Sequence, residues 1–183
     1  MQSTSIRNLP NVLTLARLLS VPIFIWLFLQ SQNSDTVRWI AAFTFLVAAL
    51  TDIVDGHIAR SRNLVTNFGK IADPIADKLL TGAALIALSW EGTLWWWVTI
   101  IILVREVGIT VLRLWVIKKA VIDASRGGKA KTASQITAIV AFLLPHNVLT
   151  HSVGVIAMSL AFVLTVGTGI DYLRQVAALA RKS

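Results

Sequence analysis

The sequence predicts an all-α, polytopic integral membrane protein, and three observations carry that expectation. The chain is too apolar for a solvated surface: 56% of its 183 residues are hydrophobic and only 14% are charged, with a mean hydropathy of +0.73. Its apolar residues gather into runs long enough to cross a bilayer, which takes roughly 20 residues per helix. The remaining charges sit in short clusters between those runs. Together these predict six transmembrane helices in a single domain over residues 1–183, with no length for a separate soluble domain.

The first span is expected over 11–31. Asn8, Pro10, Asn11 and Arg17 lead into an uncharged stretch from Leu18 to Ser34. It has no convincing small-residue cleavage site and reads as a retained span rather than a secretory leader. The second, 36–60, is uncharged from Trp39 to Thr51 and then turns acidic in "TDIVDGHIAR". The third covers 68–90. The fourth, 94–117, begins at Trp95, Trp96 and Trp97, whose indoles suit the head-group layer as an interfacial anchor. From Thr132 to Ile170 no residue carries a formal charge, and Pro145, His146 and Asn147 interrupt the run. That predicts two more spans, 131–149 and 152–175, joined by a tight turn. All six must be helices, because lipid offers the backbone no hydrogen-bond partners.

Charge then orients the chain. Arg7, Arg60, Arg62, Lys70, Lys118, Lys119, Arg126, Lys129, Lys131, Arg181 and Lys182 fall in one set of connections, while Arg38, Asp35 and Glu91 fall in the other. The positive-inside rule places both termini in the cytoplasm. The net charge of +8 is met by anionic membrane lipids rather than by nucleic acid, since the cations flank apolar spans. The absence of cysteine excludes a disulfide framework and a thiolate metal site.

Against this background the acids stand out. Of nine acidic residues, Asp52, Asp55, Asp73 and Asp77 lie within one short stretch, at the cytoplasmic ends of the second and third spans. Carboxylates at such positions are costly and normally have a partner or a functional reason. Residues three or four apart share a helix face. Asp52, Asp55, Gly56, Ala59 and Arg60 therefore form one stripe, and Gly69, Asp73 and Asp77 another. Four carboxylates with few local cations call for a multivalent ion between them, and hard oxygen ligands select Mg²⁺, Mn²⁺ or Ca²⁺ over zinc. Gly56, Ala59 and Gly69 keep the helix surface bare for a phosphate-bearing ligand, and Arg60 offers a fork for phosphate oxygens. Pro74 frees the carbonyl of Lys70, which predicts a kink at the start of that helix. The competing structural reading has the acids capping helix ends or pairing with Arg60, Arg62 and Lys78.

The arrangement Asp52-x-x-Asp55-Gly56-x-x-Ala59-Arg60, eight residues, then Gly69-x-x-x-Asp73-x-x-x-Asp77 fixes eight positions. It resembles the signature of the CDP-alcohol phosphatidyltransferase family without a departure. The resemblance implies a six-helix membrane enzyme, usually homodimeric, with a cytoplasm-facing polar cavity that binds a CDP-activated lipid and two divalent cations, Mg²⁺ or Mn²⁺. It assigns Asp52, Asp55, Asp73 and Asp77 to the metals, with Asp77 also the general base. Asp52, Asp55, Gly56, Ala59, Arg60 and Gly69 would contact the CDP-lipid. A bacterial inner membrane is the implied location.

"REVGITVLR" puts Arg105, Glu106 and Arg113 within the fourth span, and "GGKAKTASQ" puts Lys129, Lys131 and Thr132 at the start of the fifth. With Asn11, Thr14 and Arg17 of "NLPNVLTLAR", these are similar to the branch of the family that makes phosphatidylglycerophosphate. That similarity implies CDP-diacylglycerol as donor and glycerol 3-phosphate as acceptor. Arg105, Arg113, Lys129 and Lys131 would hold the acceptor phosphate, with Asn11, Thr14, Arg17, Glu106 and Thr132 as further cavity residues. Inositol phosphate and phosphatidylglycerol are the alternative acceptors. An ion-coupled transporter is the alternative of another class, disfavoured because the acids gather at one face and no inverted repeat is present. His57 reads as lining or surface, His146 and His151 as chemically silent, and Asp171 as a partner of Arg174.

Overall fold

The computed structural model describes residues 9–61, 67–116 and 126–180. They form six α-helices with no strand among the described residues: α1 Leu9–Gln30, α2 Asp35–Ser61, α3 Asn67–Trp90, α4 Trp96–Val116, α5 Arg126–Leu143 and α6 Val148–Ala180. The backbone groups into two compact units, Met1–Ala87 with Leu143–Pro145, and Leu88–Phe142 with His146–Ser183.

In the first unit α1 and α2 pack as a hairpin, closed by a short 3₁₀ turn at Ser31–Asn33. Ser34 caps α2: its hydroxyl accepts from the Val37 amide at 3.5 Å and its carbonyl from the Arg38 amide at 3.0 Å. Asp35 in the first turn suits the positive end of the helix dipole. Ala41, Ala42, Ala48 and Ala49 are buried along α2, which lets α1 approach closely. The Phe24 ring sits 5.8 Å from that of Phe45 and 6.0 Å from that of Phe28. The other faces are apolar too, with Trp26 61% and Phe43 67% exposed. Such faces match hydrocarbon, not water.

The second unit opens on a left-handed turn. Gly92 has φ of 86°, its amide donates to the Ser89 carbonyl, and the Thr93 amide reaches back to the Leu88 carbonyl. This is a Schellman termination of α3. The buried hydroxyls of Ser89 and Thr99 then bond at 2.6 Å. The helices α4 and α6 pack together, with the Trp97 ring edge-on to Phe162 at 5.4 Å and Ile102, Met158 and Ala161 buried.

The first four helices lie close to the expected spans. The last two differ: α5 begins at Arg126 rather than 131 and ends at Leu143 rather than 149, and α6 runs from Val148 to Ala180. Pro145 disfavours a helical residue before it, which ends α5 early. Asn147 starts α6, its side-chain oxygen accepting from the Thr150 amide at 2.9 Å while the Thr150 hydroxyl accepts from the Asn147 amide at 3.2 Å. This is a reciprocal cap. Arg38 donates to the carbonyl of Leu144 in the break at 3.3 Å.

Among the described residues, two helices are by length and composition apolar enough to cross a membrane, over Thr14–Asn33 and Val148–Ala177.

Candidate active site

The helical register of the aspartates is described. Asp52 and Asp55 lie in the last three turns of α2, and Asp73 and Asp77 in the first half of α3. A three-residue step advances about 4.5 Å along a helix and a four-residue step about 6 Å, each bringing its pair close to one face. Residues 62–66 join the helices, so Ser61 and Asn67 are at most roughly 20 Å apart. The side chains of Asp52, Asp55, Gly56, His57, Ala59, Arg60, Gly69 and Asp73 lie outside the described residues, as do those of Asn11 and Arg113. Arg62 lies outside them altogether.

The Asp77 carboxylate is within them. It is half-buried, with Oδ2 3.4 Å from Lys78 Nζ, while its backbone carbonyl accepts from the Thr81 hydroxyl at 2.9 Å. A partly exposed ion pair of this kind contributes little, so Lys78 does not commit the carboxylate. By residue type the four aspartates would offer hard oxygen donors in a cysteine-free chain, a chemistry that suits Mg²⁺ or Mn²⁺ rather than a thiophilic ion.

On α1, Thr14 and Arg17 are buried, and the Ser20 hydroxyl donates to the Arg17 carbonyl at 2.7 Å. Arg17, Ser20, Thr44, Val47 and Thr51 line a recess of about 280 Å³ between α1 and α2. Its last lining residue, Thr51, directly precedes Asp52.

A second cluster joins α4, α5 and α6. Glu106 and Lys131 are 5% and 4% exposed, and Lys131 Nζ donates to Glu106 Oε1. The neighbouring Arg105 donates from Nη1 to the same oxygen at 3.1 Å, from Nε to the Thr165 carbonyl at 3.1 Å, and from Nη2 to the Thr168 hydroxyl at 2.7 Å. Thr168 in turn donates to the Leu164 carbonyl at 2.6 Å, so its oxygen is oriented to accept. A Cβ on Gly169 would stand 3.3 Å from Arg105 Cγ and 3.4 Å from its Nε. Thr165, Thr168 and Gly169 therefore make a cradle on α6 for the guanidinium.

The residues expected at the acceptor phosphate and the further cavity candidates thus divide. Arg105 and Lys131 meet on Glu106, whereas Lys129 and Thr132 are exposed, Thr132 donating to the Gly128 carbonyl at 3.1 Å. Lys129 is two residues from Lys131, about 200° around the helix, and so points elsewhere. Asp171 and Arg174 are both exposed and, among the described residues, form no ion pair; the expected pairing is not made. The rings of His146 and His151 meet edge-on at 5.3 Å. Thr165, Thr168 and Gly169 were not legible as site residues, although two hydroxyls and a glycine spaced three and four apart in an apolar helix were a usable signal.

Comparison with known proteins adds a second line. Residues 7–167 match the profile of the CDP-alcohol phosphatidyltransferase family. The chain is similar to a "Probable phosphatidylglycerophosphate synthase" of Mycobacterium tuberculosis (strain H37Rv), at 50% identity over 91% of this chain and 80% of that protein. It is also similar to proteins named CDP-diacylglycerol--glycerol-3-phosphate 3-phosphatidyltransferase. The one from Bacillus subtilis (strain 168) is 39% identical over 90% of this chain and 93% of its own. The one from Rickettsia typhi is 38% identical over 92% of this chain and 96% of its own.

Proposed function

The chain belongs to the CDP-alcohol phosphatidyltransferase family, and from that premise we propose that it transfers the phosphatidyl group of CDP-diacylglycerol to glycerol 3-phosphate, giving phosphatidylglycerophosphate and CMP in phospholipid biosynthesis. The observation that carries this reading is similarity over nine-tenths of the chain to proteins named for that reaction.

In this reading Asp52, Asp55, Asp73 and Asp77 hold two divalent cations, Mg²⁺ or Mn²⁺. When bound, those ions neutralise the diphosphate and the departing CMP. Gly56, Ala59 and Gly69 leave room for the cytidine diphosphate, and Arg60 binds its phosphate oxygens. Asp77 takes the proton of the acceptor hydroxyl. The hydroxyl oxygen then bonds to the phosphorus bearing diacylglycerol, and the bond from that phosphorus to the oxygen bridging to CMP breaks. Arg105, Arg113 and Lys131 serve the acceptor phosphate. Asn11, Thr14, Arg17, Glu106 and Thr132 complete the cavity.

The wider frame is a single domain of six transmembrane helices, homodimeric, in a bacterial inner membrane, with the cavity and both termini cytoplasmic. The exposed apolar faces and the basic clusters support it.

The test is an acceptor panel. The purified protein in lipid vesicles, with CDP-diacylglycerol and Mg²⁺, is given glycerol 3-phosphate, inositol phosphate or phosphatidylglycerol in turn, and CMP is measured. CMP release with glycerol 3-phosphate alone is expected. Release with another acceptor instead reassigns the substrate, and ion or solute flux without CMP overturns the enzyme reading.

A further inference from the structure

The second cluster is an expensive arrangement. The Glu106 carboxylate and the Lys131 ammonium are withdrawn from solvent and Arg105 is half-buried, and such groups are often replaceable by apolar residues at no loss of stability. Their presence in apolar helices therefore points to a task. Three features define it. Arg105 and Lys131, from α4 and α5, converge on a single oxygen of Glu106. Among the described residues the formal charges of Arg105, Glu106 and Lys131 sum to one positive. And Arg105 is fixed from behind by α6, through the Thr165 carbonyl, the Thr168 hydroxyl and the space left by Gly169.

We propose that Glu106 is a positioning residue for the acceptor: it holds Arg105 and Lys131 side by side as a pre-set cationic edge for the phosphate of the incoming alcohol, with the Thr165–Thr168–Gly169 cradle locking Arg105 in place. Both cations are long, flexible side chains that lose substantial rotamer entropy when ordered. Glu106 and the cradle order them before the acceptor arrives, so binding does not incur that loss again. Among the described residues one carboxylate faces two cations, a balance that favours a phosphorylated alcohol over a neutral one. This inference rests on the reading of a phosphate-bearing acceptor given above.

The test uses the full chain in vesicles and four substitutions: Thr168→Val, Thr168→Ser, Gly169→Ala and Glu106→Gln. KM for glycerol 3-phosphate, KM for CDP-diacylglycerol, kcat and the thermal unfolding midpoint are read for each. Thr168→Val and Gly169→Ala are expected to raise KM for glycerol 3-phosphate about tenfold, as for one charged hydrogen bond. KM for CDP-diacylglycerol and the midpoint should hold, and Thr168→Ser should restore the wild-type value. Glu106→Gln should raise the same KM further; if that variant does not accumulate, Thr168→Val and its serine rescue decide. An unchanged KM for glycerol 3-phosphate, or both KM values and the midpoint shifting together, overturns the inference and leaves the cluster structural. Failure of the unsubstituted protein to use glycerol 3-phosphate instead overturns the underlying functional reading, so the two failures are distinct.

Discussion

The ring of Phe142 on α5 occupies the space above Gly154 on α6, where a Cβ would stand 2.6 Å from two ring carbons. The contact holds α5 and α6 together just past the break between them. Both residues are buried, so the ring has little room to retreat. Gly154→Ala is expected to destabilise the protein by about 1–3 kcal/mol, the usual cost of overpacking. A thermal melt in detergent checks it, and Phe142→Leu in the same chain should recover part of the loss.

Gly92 makes the complementary case. A Cβ there meets nothing within 4 Å, yet its φ is +86°. The glycine serves conformation rather than space. Gly92→Ala should cost about 1–2 kcal/mol through left-handed backbone strain, and Gly92→Asn less, since asparagine tolerates that region. Equal melting midpoints for the two variants would contradict this account.

Asp77 is expected to separate binding from turnover. Asp77→Asn keeps the shape but cannot take a proton, so CMP release should fall about 10²- to 10⁴-fold while CDP-diacylglycerol still binds. Equilibrium binding of the lipid, measured beside the rate, distinguishes this from a general loss of the site. If both fall together, Asp77 acts only through the metals.

Chelation should stop CMP release altogether. Added Mg²⁺ or Mn²⁺ is expected to restore it and Zn²⁺ not, because the donors are hard oxygens. Asp52→Asn, Asp55→Asn and Asp73→Asn should each raise the Mg²⁺ concentration needed for half-maximal activity. A rate indifferent to EDTA would remove the metal role of all four aspartates.

Much of the fold was legible because hydropathy in lipid has one dominant reading. An uncharged run such as Leu18 to Ser34 has nowhere to go but a helix. The α5 boundaries were harder, for two physical reasons. The fifth span was expected to begin at 131, yet Gly127 and Gly128, which disfavour helix, sit inside the first turn of α5. Asn147 read as part of a turn, although its side chain sets the start of α6. For the site, acid spacing made the aspartate motif visible without any tertiary information. The α6 cradle was not visible, since a threonine in an apolar helix most often bonds its own preceding turn. Thr168 does so, and accepts from Arg105 as well.

The reciprocal cap at Asn147 fixes the starting point of a helix that is 33 residues long. At 1.5 Å per residue that rod measures about 50 Å, whereas the oily layer of a bilayer is about 30 Å deep. Its first formal charge after the cap is Asp171, roughly 35 Å along, close to where the oil should end. With its capped end at one bilayer surface, the remainder would stand in the head groups or beyond as a stiff stalk. A fluorescent reporter fused downstream of it would be carried clear of the lipid surface at a set height, which makes that end a practical handle for watching the protein at work.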